Sequence, residues 1–262
     1  MRSPYLRMPG ERPLVVGHRG ALALAPENTF AAFERGIACG VDAVEFDVQR
    51  TADDVPIVIH DAALERTTNG HGRVRETPWR DIRGLDAGSH YSPAFAGERV
   101  PSLEELLDRA RGWRVGLVLE LKQPAPGDGR PRDEGLVRAV CDLVRAADLL
   151  ERTLFISFDH PSIAEAMARE PLARTALLTD GPTFVDPLAP ARAVPGTLGL
   201  HVRWQWISRD VVDAAHGEGV HVHAWGHRHP QDPAIVRRLV GLGVDSLSAD
   251  APDALVQLVS TA

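Results

Sequence analysis

Four short polar groups stand where apolar runs end. His18-Arg19 follows residues 14–17, Glu45 and Asp47 lie within 43–48, His60-Asp61 follows 56–59, and Glu120 with Lys122 closes 115–121. Residues two apart on a strand share a face, so Glu45 and Asp47 point the same way. Glu120 brings a third carboxylate from another run. Three carboxylates gathered at one place repel unless a cation sits among them. Oxygen donors favour a hard ion, so one divalent cation, Mg²⁺ or Ca²⁺, is expected rather than zinc. Imidazole titrates near neutrality, which suits His18 and His60 to take a proton from a nucleophile and give one to a leaving oxygen. Asp61 is placed to orient such a ring. Arg19 offers forked donors suited to phosphate oxygens, and Lys122 a compact positive charge on the face of Glu120. Three carboxylates, a dication, Arg19, Lys122 and a phosphodiester together carry no net charge; without the ion the site would repel an anionic ester. Each group alone reads more plainly as a surface ion pair or a structural strand-end histidine. Their coincidence is what points to chemistry.

Something must bring these four places together. Short β-rich runs alternate with longer helical patterns along the chain, which predicts a parallel sheet with helices outside. Strands are expected at 14–17, 43–48, 56–59, 115–121, 154–157, 174–178, 198–202, 220–225 and 244–248. Helices are expected at 28–40, 134–150, 161–170, 208–217, 233–241 and 252–259, and another opening at Ser102, where Ser102 and Glu105 spell a capping box. Asn28 is the expected cap of the first helix, with Gly36 and Gly40 marking its end. The fold class is α/β, a TIM (β/α)8 barrel in a single domain, 1–262. In such a barrel the C-terminal strand ends converge on one mouth, where the active site lies. Nine strands for eight places leave one outside the barrel. The gap between Asp47 and Pro56 is too short for a crossover helix, so one unit must be irregular. Residues 61–100 form a polar, Gly- and Thr-rich insertion, too long for an ordinary connection.

Composition narrows the partners. The 262-residue chain is 44% hydrophobic and 25% charged, with a formal net charge of -7. That is ordinary globular usage, and the negative balance argues against nucleic acid. Lys122 is the single lysine among 29 basic residues, which suggests a place where arginine would not fit. Cys39 and Cys141 read as two buried thiols, with a disulfide left open. No apolar leader opens the sequence and no run reaches the roughly 20 residues of a membrane span, so a cytoplasmic location is expected. Nothing in the sequence specifies an oligomeric state.

The residues quoted so far, with their neighbours, resemble the glycerophosphodiester phosphodiesterase family. The match takes in His18-Arg19-Gly20, Pro26-Glu27-Asn28-Thr29, Gly40-Val41-Asp42, Glu45-Phe46-Asp47-Val48, Thr51-Ala52-Asp53, His60-Asp61, Arg66-Thr67-Thr68, Gly70, Pro101-Ser102-Leu103-Glu104-Glu105 and Glu120-Leu121-Lys122. Weaker echoes are Ser157-Phe158, His223-Ala224-Trp225, Gly243-Val244-Asp245 and Asp250-Ala251-Pro252. The likeness spans nearly the whole chain, is dense up to Lys122, and is thin over 161–219. It implies a TIM barrel with an insertion after His60-Asp61, a divalent metal on Glu45, Asp47 and Glu120, acid–base work by His18 and His60, and phosphate contact by Arg19 and Lys122. It also implies a small-molecule glycerophosphodiester substrate, cleaved through a cyclic phosphate to glycerol 3-phosphate and an alcohol. Trp225 and Phe158 are candidates to pack against the glycerol carbons, though both are common core residues.

Three departures stand out. Asp54 replaces a usual glycine, Ala249 a usual threonine, and Gly226-His227-Arg228 a usual Thr-Val-Asn beside the substrate. Rival readings are a lysophospholipase D, a barrel that binds phosphoesters without cleaving them, and a zinc hydrolase built on His221-x-His223. The few large apolar residues of 61–100 favour water-soluble substrates over lysolipids.

Overall fold

The computed structural model describes residues 5, 7, 11–124, 129–181, 186–226 and 232–260. His227 and Arg228 of the departing loop, and His229 beyond it, lie outside them. In chain order the elements are β1 (Leu14–Gly17), α1 (Phe30–Ala38), β2 (Ala43–Arg50), β3 (Pro56–Val58), α2 (Trp79–Ile82), α3 (Leu103–Ala110), β4 (Gly116–Leu121), α4 (Leu136–Ala146), β5 (Thr153–Ser157), α5 (His160–Arg169), β6 (Arg174–Thr179), α6 (Ala189–Ala193), β7 (Gly199–Arg203), α7 (Arg209–Gly217), β8 (His221–Trp225), α8 (Pro233–Leu242), β9 (Ser246–Ala249) and α9 (Pro252–Ser260). Eight strands run parallel in the order β1-β9-β8-β7-β6-β5-β4-β2, and β1 pairs with β2 to close the barrel. The chain is a TIM barrel.

The ninth strand is β3. It lies antiparallel on β2, with Val48 opposite Val58. A tight turn therefore replaces the missing crossover helix, and Asp54 takes the left-handed conformation it requires, at φ 66°. Aspartate tolerates that region, so its replacement of glycine leaves the turn intact.

Barrel strands are buried on both faces. On β2, Val44, Phe46 and Val48 join the layer between barrel and helices, where Phe33 of α1 meets Phe46 edge-on at 5.9 Å. Residues of opposite parity (Val16, Ala43, Val118, Leu154, Ile156, Ala176, Leu178) fill the interior. Tyr5 joins them at the N-terminal ends of the strands. Its hydroxyl accepts from Leu117 N–H at 2.7 Å and reaches the carbonyls of Leu117 and Arg152.

Two details of α1 differ from the sequence expectation. Thr29, not Asn28, caps it, accepting from Ala32 N–H. Gly36 does not end the helix; a Cβ there would lie 2.6 Å from Gly20 O, and one on Gly20 would meet the Ala32 backbone at 2.5 Å. The two glycines let the loop carrying His18 and Arg19 press onto α1. The helix ends at Ala38 with Cys39 as its cap, and Gly40 follows in the left-handed conformation, at φ 86°. The capping box of α3 forms as expected, with Ser102 and Glu105 satisfying each other's backbone N–H.

The insertion is better packed than its polar composition suggested. Leu64, Val74, Ile82, Ala87 and Val100 form a separate apolar cluster with Ile57 and Ile59, just before His60. Cys39 and Cys141 are free thiols, the first half-buried and the second buried. Among the described residues no helix is long and apolar enough to cross a membrane.

Candidate active site

The period-two alternation of the strands sends His18, Glu45, Glu120, Lys122, Phe158, Trp225 and Asp250 into one cavity of about 550 Å³ at the C-terminal mouth of the barrel. His60, just past β3, and Arg66 of the insertion line it as well. Glu45, Asp47 and Glu120 each offer an oxygen within 4.8 Å of the other two, and all three are buried. In register, Asp47 stands beside Glu120 across β2 and β4. An all-oxygen, carboxylate-rich set of this kind fits a hard dication. No other group of His, Cys, Asp and Glu among the described residues converges in this way.

The local electrostatics show the strain of three acids in one buried place. Burial, then the charge of Asp47, pushes the Glu45 carboxyl up to about 8. Burial also raises Glu120, against the pull of Lys122. Burial opposes the charge on Asp47 too, but Lys122 and Arg19 overcome it and hold Asp47 far below the usual carboxylate range. Lys122 sits 2.9 Å from Glu120 and 3.6 Å from Asp47.

Arg19 occupies a left-handed backbone position, at φ 48°, which costs a non-glycine residue about 1–2 kcal/mol. That conformation aims its N–H at Glu45 Oε2, 2.8 Å away. Its guanidinium donates to Glu27 at 2.7 Å, and its Nε lies 3.4 Å from Asp47. Asn28 is left-handed as well, at φ 59°, and its amide donates to Asp47 at 2.9 Å.

Each histidine is braced by a carboxylate on Nδ1, which leaves Nε2 as the working nitrogen. His18 pairs with Asp250 at 2.7 Å, and His60 with Asp61 at 2.6 Å. The two are pushed in opposite directions. Burial opposes the charge on His18, but the Asp250 bond and the charge of Glu45 raise it. Burial lowers His60; Asp47 works against this, while Lys122 and Arg19 add to it.

Across the cavity, Phe158 and Trp225 meet edge-on at 5.5 Å. The Trp225 indole donates to His201 O at 3.0 Å, and Arg203, paired with Asp180, lies over its ring at 4.7 Å. His18, Arg19, Glu45, Asp47, His60, Glu120, Lys122, Phe158 and Trp225 therefore gather at one mouth, with Asp61 bound to the His60 ring. The zinc reading of His221-x-His223 finds no such support, since neither histidine belongs to a convergent group of metal-ligating side chains among the described residues. Both line a small void deeper in the barrel, and His223 also reaches the mouth cavity.

Comparison with known proteins places the chain in a family. The model of the glycerophosphoryl diester phosphodiesterase family matches residues 18–254. The chain belongs to that family. A glycerophosphodiester phosphodiesterase of Caldanaerobacter subterraneus subsp. tengcongensis is 32% identical over 248 residues, covering 95% of this chain and 98% of its own. The structure of an Oleispira antarctica phosphodiesterase, in complex with the product sn-glycerol-3-phosphate, superposes with a TM-score of 0.84 at 28% identity, covering 95% of this chain and 97% of that one. A glycerophosphodiester phosphodiesterase structure from Agrobacterium tumefaciens gives 0.78 at 30% identity, covering 95% and 100%.

Within this family member, four site residues escaped the sequence reading: Glu27, Asn28, Arg66 and Asp250. Glu27, Asn28 and Arg66 sat inside quoted motifs with no chemistry of their own to announce them. Asp250 follows the last strand, and its position at a strand end was the available signal. Arg66 is the most consequential. It donates to both Glu27 oxygens, at 2.7 and 2.8 Å, and to Asp61 at 3.0 Å with a second, shorter contact. Its bond is the largest influence holding the Asp61 carboxyl down, to about 2. Arg66 thus ties the bracing of Arg19 to the bracing of His60. Replacing it by methionine is expected to lower kcat by roughly 10–100-fold, as loss of orienting partners does elsewhere. KM should change little, and steady-state kinetics at saturating metal would check the split.

Proposed function

We propose that this protein hydrolyses water-soluble glycerophosphodiesters to glycerol 3-phosphate and an alcohol, with Mg²⁺ or Ca²⁺ held by Glu45, Asp47 and Glu120. The observation that carries the reading is the pair of carboxylate-braced imidazoles opening on the same cavity as three convergent buried acids. A bound dication would supply Lewis-acid polarisation of the phosphoryl oxygens. The chain's own residues do the rest. Arg19 and Lys122 hold the anionic ester, and Phe158 and Trp225 wall the carbon side.

The glycerol hydroxyl beside the phosphate is the first nucleophile. His60, the more weakly basic imidazole and so free of its proton near neutrality, accepts that hydroxyl's proton. His18, the more strongly basic, gives its proton to the departing alcohol oxygen. One P–O bond forms and one breaks, leaving a cyclic phosphate. In the second half His18 takes a proton from water as it attacks phosphorus, and His60 returns one to the ring oxygen that leaves. Both histidines end as they began, and one water has been consumed. Opposed proton affinities suit this division of labour.

The test is a panel of glycerophosphocholine, glycerophosphoethanolamine, glycerophosphoglycerol and lysophosphatidylcholine, each with Mg²⁺, Ca²⁺ or Mn²⁺. Release of glycerol 3-phosphate from the soluble esters is expected. Head-group release from the lysolipid alone would make the protein a lysophospholipase D. No product from any ester would leave a binding barrel.

A further inference from the structure

The mouth cavity continues beneath the catalytic side chains to a floor that the reaction above does not use. Its imidazoles are His201 of β7 and His223 of β8, paired in register, with rings stacked at 4.2 Å and 24°. His223 Nδ1 is 2.7 Å from Ser246 Oγ. The His201 ring, in a residue only 6% exposed, has no hydrogen-bond partner among the described residues and stands between the mouth cavity and the small void beneath it, lining both. Val16, Val118, Ile156 and Leu178 complete the surroundings.

The chemistry of this floor selects its ligand. The ring nitrogens are not among the sealed, unpartnered polar atoms of the interior, so they open on cavity space where a ligand can reach them. Burial, then the neighbouring His221, pushes His201 down to about 3, so the ring is neutral at any working pH. A neutral imidazole has one donor and one acceptor; a hydroxyl can engage both, whereas a phosphate dianion uses only the donor and an ammonium only the acceptor. The four aliphatic side chains beside it suit carbon. Stacked rings set their nitrogens side by side rather than aimed at one point, which disfavours a shared metal ion.

We propose that His201, assisted by His223, forms a hydroxyl-binding subsite that takes an uncharged polyol portion of the bound ester. The inference rests on the proposed function, since it places the ester in this mouth. The hydroxyls come either from the glycerol half or from a polyol leaving alcohol.

His201→Phe keeps a stacked ring and removes both nitrogens. In the metal-loaded enzyme, KM is compared for glycerophosphoethanolamine and glycerophosphoglycerol, and calorimetry gives Kd for sn-glycerol 3-phosphate and inorganic phosphate. A loss of about five- to tenfold is expected for the hydroxylated ligand, the size of one or two hydrogen bonds, with phosphate binding and kcat retained. Weakening of both esters and of glycerol 3-phosphate places the glycerol half on the floor; weakening of glycerophosphoglycerol alone places the leaving alcohol there. His201→Gln, which keeps a donor and an acceptor, should recover most of the affinity. Unchanged affinities in His201→Phe, an equal loss for phosphate, or a glutamine variant as weak as phenylalanine would overturn the subsite. Failure of the wild-type enzyme to cleave any diester would instead overturn the proposed function.

Discussion

EDTA is expected to abolish turnover of glycerophosphodiesters, and added Mg²⁺ or Ca²⁺ to restore it. Glu45, Asp47 and Glu120 are buried with their oxygens within 4.8 Å, and a bound dication would let all three ionise together. Until it arrives, burial and the charge of Asp47 keep a proton on Glu45, whose carboxyl lies at about 8. Ion uptake at pH 7 should therefore release close to one proton, and affinity should rise with pH up to that value. Calorimetry in two buffers of different ionisation enthalpy measures the release directly. The same shift has a stability consequence. A carboxyl raised in the folded state favours folding below its ordinary value of 4.5 and loses that contribution as pH climbs toward 8. The metal-free protein should therefore lose thermal stability through this group over that interval, and the loaded protein should not. Asp47→Asn removes the acid that Lys122 and Arg19 hold far below the usual carboxylate range. A fall in kcat/KM of roughly 1,000-fold is expected, in line with the several kcal/mol a metal supplies to phosphoryl chemistry. Metal-independent turnover of the wild-type protein would rule out the assignment.

Alanine in place of His18 or His60 should cost at least ~100-fold in kcat, the usual worth of a positioned proton donor or acceptor. The two losses should differ in character. Esters whose alcohol leaves as a stable anion, such as 4-nitrophenyl esters of glycerol phosphate, need little help from an acid. The variant lacking His18 should therefore recover activity on them, whereas the variant lacking His60 should not. Recovery by the His60 variant in place of the other would reverse the assigned roles, and full activity in either variant on ordinary substrates would remove that histidine from the chemistry.

Much of the site was legible because its members sit at strand ends with fixed parity. Glu45, Asp47, Glu120 and Lys122 could be placed on one face from spacing alone, and closure of the barrel did the rest. The position of β3 was half legible. The chain between Asp47 and Pro56 showed that a unit was irregular, but not that it folded back on β2. The partners contributed by loops were silent. Glu27, Asn28 and Arg66 act through hydrogen bonds that cross from 27 to 66 or from 28 to 47, and no local pattern encodes such pairings. Asn28 was misread as a helix cap because its residue type suits that role equally well; its left-handed backbone and its bond to Asp47 depend on tertiary structure. The insertion was legible as a polar segment too long for an ordinary connection, but not as a packed one: its apolar residues are sparse, and they gain a core only by borrowing Ile57 and Ile59 from the approach to His60.

Tyr5 has a consequence for traffic. With its hydroxyl held by Leu117 and Arg152 at the N-terminal ends of the strands, the phenol stoppers the drum opposite the catalytic end. Among the described residues the catalytic mouth is then the doorway for entry and exit alike, so a departing product and an arriving substrate would exclude one another.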